Sequence, residues 1–210
     1  MEMKTYKYPK TLHLPFSPEL SKDDKRLNNV DHFEGKEVVV SLKMDGENTS
    51  LYPNYLHARS INEMSHASQD WIKSFHAKIK YSIPKDHRIC GENLYAEHSI
   101  PYEDLKSFFY AFSLWHRETC LNWSGTKEIL KSMGIITVPV IYEGLWDQKE
   151  ILKAWEAHKE NHEGFVVRIA DAFTIDQFAL SMAKYVRKNH VQTDVHWKSH
   201  WKKNKLNSSS

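Results

Sequence analysis

The chain has 210 residues, of which 40% are apolar and 27% charged; this predicts one sizeable core, or at most one domain with a small appendage. Its formal net charge is only +2, which excludes a bulk polycation, so any nucleic-acid surface must come from local clustering of lysine and arginine. No stretch approaches the roughly 18 consecutive apolar residues of a membrane-spanning helix, and we expect no membrane association.

The predicted elements follow an extended lead-in of about 35 residues that is rich in proline and charge. Apolar and β-branched runs predict strands at 37–42, 49–52, 56–59, 87–94, 107–115, 135–142, 164–169 and 181–186. Apolar residues at helical spacing predict helices at 68–81, 126–133 and 149–158. Because strands outnumber helices without strict alternation, the pattern indicates an α+β protein with mostly antiparallel sheets.

The C-terminal tail, residues 190–210, differs in character from the rest. From Lys184 to Lys205 there are seven lysines or arginines against one aspartate, interleaved with tryptophans and histidines. This composition predicts a surface that contacts backbone phosphates and stacks on bases. Its candidate nucleic-acid residues are Trp197, Lys198, Trp201 and Lys202. The alternative is a charged helix or frayed end that only aids solubility.

Two cysteines, Cys90 and Cys120, lie far apart in sequence and lack the spacing of metal ligands. They do not indicate a disulfide framework, which favours a reducing compartment. The N-terminus is polar and has no apolar region of the secretory kind. These features predict a cytoplasmic protein.

The run Lys-Met-Asp-Gly-Glu-Asn at residues 43–48 follows directly on the apolar strand 37–42. A lysine at the end of such a strand is shielded on one side, which predicts a lowered pKa for the Lys43 amine. A neutral amine is a nucleophile, whereas an ammonium group is not. Gly46 would let the backbone approach a phosphate or ribose closely. Taken alone, the run is more typical of an ordinary strand followed by a turn.

Four later segments place charged or aromatic residues on predicted strands. Glu92 and Glu163 each lie at one end of an apolar strand, a position that also suits an exposed strand end. The strongly aromatic strand 108–115 can present one ring to a base. Lys184 lies on an apolar strand that ends in further cations, which suit phosphate oxygens.

Read in order, these segments are Lys-x-Asp-Gly, Gly-Glu-Asn-Leu-Tyr, Phe-Tyr-Ala-Phe, Glu-Gly-Phe-Val-Val-Arg and Lys-Tyr-Val-Arg-Lys. The ordered set resembles motifs I, III, IIIa, IV and V of the ATP-dependent ligase and mRNA-capping superfamily, and most closely the RNA ligase family. The motifs span residues 43–188, most of the chain. Each is weak singly, but their joint order is a specific pattern.

The resemblance implies an α+β nucleotidyltransferase (ATP-grasp-like) fold of mostly antiparallel sheets flanked by helices, with the adenylation domain over residues 1–189. It also implies an ATP-dependent RNA ligase that joins 5′-phosphate and 3′-hydroxyl ends through a lysyl-AMP intermediate on Lys43 and an adenylylated polynucleotide. The implied cofactors are ATP and Mg²⁺ or Mn²⁺, and the implied partners are RNA ends. No obligate protein partner is expected.

The resemblance further implies which residues contact these ligands. Glu92 and Glu163 would hold the metal, since Mg²⁺ prefers oxygen ligands. Arg59 would touch ribose or a substrate phosphate, and Glu47 metal or ribose. The full set implied for nucleotide binding is Lys43, Asp45, Gly46, Glu47, Arg59, Glu92, Phe112, Glu163, Lys184, Arg187 and Lys188.

Two departures from the family pattern leave details open. Motif IIIa usually has an acidic residue after its phenylalanine, where this chain has Ser113. The ring that stacks on adenine is expected to be Phe112, with Phe109 as the alternative. Motif V often reads Lys-x-Lys, whereas the second cation here comes three or four residues after the first, as Arg187 or Lys188.

DNA ligases and capping enzymes of this superfamily carry an OB-fold domain after motif V. Only about twenty residues follow Lys188, so we expect no OB-fold domain, which favours an RNA ligase. One alternative is a minimal DNA ligase or guanylyltransferase that acts with an OB partner. The other is a catalytically inactive nucleic-acid-binding module, which the retained motif residues argue against.

Overall fold

Two β-sheets form the framework of the computed structural model, which describes residues 4–18, 20, 24–61, 66–188 and 201–207. The strands are β1 (Leu12–His13), β2 (Glu37–Lys43), β3 (Glu47–Leu51), β4 (Leu56–Ala58), β5 (His87–Asn93), β6 (Phe109–His116), β7 (Thr119–Cys120), β8 (Val140–Leu145), β9 (Gly164–Ile169), β10 (Phe173–Thr174) and β11 (Met182–Val186). Within these ranges the first sheet has the order β1-β11-β9-β2-β8 and the second β10-β7-β6-β5-β3-β4. β1 pairs with β11 in parallel, and the other strand pairs described are antiparallel. The α+β class expected from the sequence is confirmed.

The helices are short and flank the sheets. They are α1 (Asp70–Ile79), α2 (Trp123–Ser132), α3 (Gln148–Glu156) and α4 (Phe178–Ser181), with 3₁₀ turns at Asp31–Phe33, Ala67–Gln69, Lys80–Ser82 and Ile175–Gln177. In the described ranges, no helix has both the length and the apolar character needed to cross a bilayer.

The main core lies between the sheets and depends on strand β2. Its run of valines and a leucine is buried almost completely, as expected for β-branched residues in a central strand. Phe165 of β9 and Trp115 of β6 belong to the same buried cluster. A second cluster, which includes Ile72 and Leu130, packs α1 and α2 against the second sheet. Cys90 and Cys120 are buried and free.

The predicted strand 135–142 was wrong in its first half, and Pro139 explains the difference. Proline has no backbone N–H for a sheet ladder, and its carbonyl instead accepts a hydrogen bond from the Leu42 N–H at 2.8 Å. The ladder strand therefore begins only at Val140. Helix α2 begins three residues before its predicted start because the Asn122 side chain caps it, accepting from the Gly125 N–H.

The described part of the tail packs on the domain. Asn204 is 2% exposed; its Nδ2 donates to the Leu94 carbonyl at 2.8 Å, and its Oδ1 accepts from the Tyr102 N–H at 2.8 Å. Trp201 contacts the Tyr95 ring, with centroids 5.5 Å apart. Residues 201–207 therefore fasten the segment 94–105, called here the β5–β6 loop.

Candidate active site

A cavity of about 850 Å³ opens between the two sheets where β2 passes into β3. This volume suits a small-molecule ligand such as a nucleotide. Eight of the residues anticipated from the motifs line this cavity: Lys43, Gly46, Glu47, Arg59, Glu92, Phe112, Glu163 and Lys184. Five other anticipated residues have described positions but do not line the cavity: Asp45, Arg187, Lys188, Trp201 and Lys202. The last two, Trp197 and Lys198, lie outside the residues that the structure describes.

Lys43 and Glu163, which both line the cavity, form an ion pair. The pairing of β2 with β9 places Lys43 opposite Gly164, directly beside Glu163. A Cβ at Gly164 would lie 1.9 Å from the Tyr185 carbonyl oxygen, so glycine is required for β9 and β11 to approach this closely. Strand register thus joins two side chains that are 120 positions apart in sequence.

The lowered pKa expected for Lys43 is wrong for this structure. Burial by itself lowers the pKa of Lys43, but the negative charges of Glu163, Glu92 and Asp45 outweigh burial and raise that pKa above its usual value. The Lys43 amine is desolvated, as the sequence predicts for a lysine at the end of an apolar strand. The carboxylates that reverse the shift come from other strands and from the turn.

Glu92 lies on β5, opposite Asn48 of β3. Burial raises the pKa of Glu92 from 4.5 to about 8, while the nearby Lys43 ammonium acts in the opposite direction. The Glu92 carboxyl therefore keeps its proton to a higher pH than an ordinary glutamate does, and it carries its negative charge in the pH range where Lys43 titrates. Gly46 is needed for packing here, since a Cβ would lie 2.5 Å from the Asn93 carbonyl oxygen.

Asp45 is not among the residues that line the cavity, and it holds the β5–β6 loop. Its Oδ2 accepts hydrogen bonds from the backbone N–H groups of Ser99 and Ile100, at 2.7 and 2.9 Å. Its own N–H donates to the Tyr102 hydroxyl at 3.0 Å. In this structure Asp45 therefore fixes the turn that carries Lys43, and a direct contact of Asp45 with nucleotide stays a prediction.

Asn204 supports the same loop from the other side, which leads to a first testable prediction. Asn204→Ala would leave the Tyr102 N–H and the Leu94 carbonyl without their partner, and each orphaned buried group costs about 1–3 kcal/mol. We expect the melting temperature to fall by about 5 °C or more, given roughly 2–4 °C per kcal/mol for a chain of this size. The check is to measure the melting temperature of this variant by calorimetry beside Lys202→Ala, a control at an exposed position of the same segment. An equal fall in melting temperature in both variants would contradict the prediction.

Glu47 has a partner that sequence reasoning missed. Both of its carboxylate oxygens accept hydrogen bonds from Gln69 Nε2, at 2.8 and 3.0 Å. Gln69 is 5% exposed and belongs to a capping box with His66, a signature that marks only a helix start in the sequence. Arg59, just after β4, is exposed at the wall of the cavity.

Part of the cavity lining is apolar and includes the candidate base-stacking ring. Phe112 is half-buried, lines the cavity and packs edge-on against Tyr8, with centroids 5.2 Å apart. Phe109 is completely buried in the second core cluster, so it offers no face to a ligand. Of the two candidate rings, the geometry therefore favours Phe112. Further apolar lining comes from Val39, Val138, Val166 and Met182.

Lys184 lines the cavity from β11 and pairs with Asp24, with 3.1 Å between Nζ and Oδ1. Burial lowers the pKa of Lys184, although Asp24 partly offsets this. Arg187 donates from Nε to the His162 carbonyl at 2.9 Å, and Lys188 is exposed. The choice between these two as the second motif V cation stays open, because neither faces the cavity here.

The donor set around Lys43 fits a hard divalent cation shared with a phosphorylated ligand. Glu92 and Glu163 both line the cavity and offer oxygen ligands. Among the described residues there is no group of three or more histidine, cysteine or acidic side chains arranged to hold a metal. Mg²⁺ commonly takes one or two protein carboxylates and completes its shell with phosphates and water.

Comparisons with known proteins show which family the chain matches and which solved structures share its fold. A family model described as RNA ligase matches residues 36–186. A Naegleria gruberi RNA ligase variant solved with ATP and Mn superposes with a TM-score of 0.56 at 18% identity, covering 89% of this chain and 60% of that chain. An archaeal ATP-dependent RNA ligase superposes with a TM-score of 0.55 at 17% identity, covering 86% of this chain and 48% of that chain.

A third structure, Naegleria gruberi RNA ligase with PPi, has a TM-score of 0.54 at 16% identity, covering 81% of this chain and 53% of that chain. At this identity the likeness concerns the fold, and the chain spans about half the length of the structures that it matches. Among curated proteins, none matches the sequence closely enough to count as a relative.

Proposed function

The chain belongs to the RNA ligase family, and from this premise we propose that it is an ATP-dependent ligase that joins 5′-phosphate and 3′-hydroxyl ends of RNA through lysyl-AMP. The observation that carries the proposal is the convergence of Lys43, Glu92, Glu163, Lys184 and Phe112 on one cavity. It combines a nucleophile, two carboxylates, a phosphate-binding cation and an aromatic face. ATP use, Mg²⁺ and cytoplasmic RNA repair belong to the same proposal.

In the first step, the Lys43 amine attacks the α-phosphorus of ATP. A nitrogen–phosphorus bond forms, the bond to the pyrophosphate oxygen breaks and pyrophosphate leaves. The lysine nitrogen gives up two of its three ammonium protons to solvent and keeps one. Because Glu163 holds the amine as an ammonium in the free protein, this ion pair must loosen before attack. Mg²⁺ or Mn²⁺ bound at the carboxylates would supply positive charge that screens the triphosphate and favours the neutral amine.

The later steps return the lysine to its starting state. An oxygen of the RNA 5′-phosphate attacks the adenylyl phosphorus, and the bond to Lys43 breaks. The 3′-hydroxyl of the second end then attacks the activated 5′-phosphorus, AMP leaves, and the hydroxyl proton is released. These are in-line displacements, in which positioning and charge neutralisation dominate. Lys184 and Arg59 supply positive charge along the cavity wall.

The test is labelling followed by joining. The purified chain is incubated with Mg²⁺ and α-labelled ATP or GTP, and then with nicked or single-stranded 5′-phosphorylated RNA and matched DNA. We expect covalent label from ATP and joined RNA. Label from GTP alone, or joining confined to nicked DNA, would instead favour a guanylyltransferase or a DNA ligase.

A further inference from the structure

The N-terminal segment places one more cation in the cavity. Lys10 lines the wall together with Lys43 and Lys184. It precedes residue 36, where the family match begins, so no motif assigns it a role. Lys10 Nζ lies 3.6 Å from Asp24 Oδ1, the same oxygen that Lys184 contacts at 3.1 Å. A single anionic oxygen is therefore shared by two cavity lysines.

Backbone pairing fixes this arrangement. β1 runs parallel to β11, with His13 opposite Lys184, and the Leu14 N–H donates to the Lys184 carbonyl at 2.8 Å. Lys10 is thus held two residues before a strand that is hydrogen-bonded beside Lys184. Asp24 is fixed as well, because its Oδ2 lies 3.0 Å from His13 Nε2, and the other ring nitrogen of His13 contacts Ser17 Oγ at 2.9 Å.

We propose that Lys10 binds the β- and γ-phosphates of ATP together with Lys184, both lysines turning toward the ligand from the Asp24 oxygen that they share. A phosphate oxygen and a carboxylate oxygen make the same charge-assisted contact with an ammonium group. Lys10 is 38% exposed, so it can reorient toward a ligand at little cost. The inference rests on the proposed function and adds to it a residue for the triphosphate.

This role predicts a step-specific defect. Lys10→Ala should raise the ATP concentration for half-maximal lysyl-AMP formation by about tenfold, the effect of one charge-assisted hydrogen bond. Lys10→Arg, which keeps the charge, should restore most of the loss. Sealing of a preadenylylated RNA without ATP should not change, since that substrate has no β- or γ-phosphate. Lys4→Ala, which removes an exposed lysine paired with Glu118 in the same segment, is the matched control.

Equilibrium binding of ATP and AMP separates this inference from the proposed function. Lys10→Ala should weaken ATP binding and leave AMP binding unchanged, whether or not the protein forms lysyl-AMP. Equal ATP affinity in Lys10→Ala and the unaltered protein would overturn the inference, as would an equal loss of ATP and AMP binding. Absence of label in the unaltered protein would instead count against the proposed function alone.

Discussion

Lys43→Ala is expected to lower the rate of covalent labelling from ATP by at least about a thousandfold, because in the proposed reaction its side chain supplies the atom that bonds to phosphorus. Lys43→Arg should be equally inactive. It preserves a positive charge beside Glu163, but guanidinium does not deprotonate in proteins. The two variants together separate a nucleophile from an electrostatic contact.

The measurement is incorporation of α-labelled ATP per mole of folded protein. Lys153→Ala is the control, since that lysine is 77% exposed on α3 and pairs only with a neighbouring helical glutamate among the described residues. Labelling of Lys43→Arg at a rate near that of the unaltered protein would contradict a covalent role for Lys43.

Glu92→Gln is expected to reduce lysyl-AMP formation by about a hundredfold or more, because it removes one of two carboxylates available to a metal. The same substitution should stabilise the ligand-free protein at alkaline pH. The pKa of Glu92 is about 8 in the fold against 4.5 ordinarily. As pH rises from 4.5 to 8, the unfolded chain loses this proton first, so the free energy of unfolding falls across that window.

Glutamine carries no proton to lose, so the Glu92→Gln variant escapes this decline. At pH 8 we expect it to be more stable by about 1 kcal/mol, a rise in melting temperature of about 2–4 °C, with a smaller difference at pH 5. Melting curves at both pH values check this against Glu128→Gln, an exposed position on α2. A Glu92→Gln variant that is less stable than the unaltered protein at pH 8 would contradict a protonated, buried Glu92.

Local sequence was sufficient to predict the elements that carry the motifs. The valine run of β2 indicates a buried strand, and Gly134 takes the positive φ of 68° that ends helix α2. Such signals depend on nearest neighbours in the chain. Pro139 shows where these local signals fail. The apolar run 135–142 predicts one strand, but the proline cannot donate to the ladder, and the strand begins only at Val140.

Contacts that depend on the pairing of distant strands could not be predicted in this way. The sign of the Lys43 pKa shift is set by Glu163, which only the β2–β9 register brings alongside. Asn204 and Lys10 have no local signature of function. The contacts of Asn204 depend on docking of the tail against the β5–β6 loop. The position of Lys10 beside Lys184 depends on the parallel pairing of β1 with β11.

The central claim is that Lys43 carries AMP covalently. The most direct test is to incubate the unaltered protein with ATP and Mg²⁺, digest it without acid, and locate the adenylylated residue by mass spectrometry. We expect one AMP adduct, on the peptide that contains Lys43. An adduct on another lysine, or no adduct under conditions in which the protein joins RNA, would contradict the account.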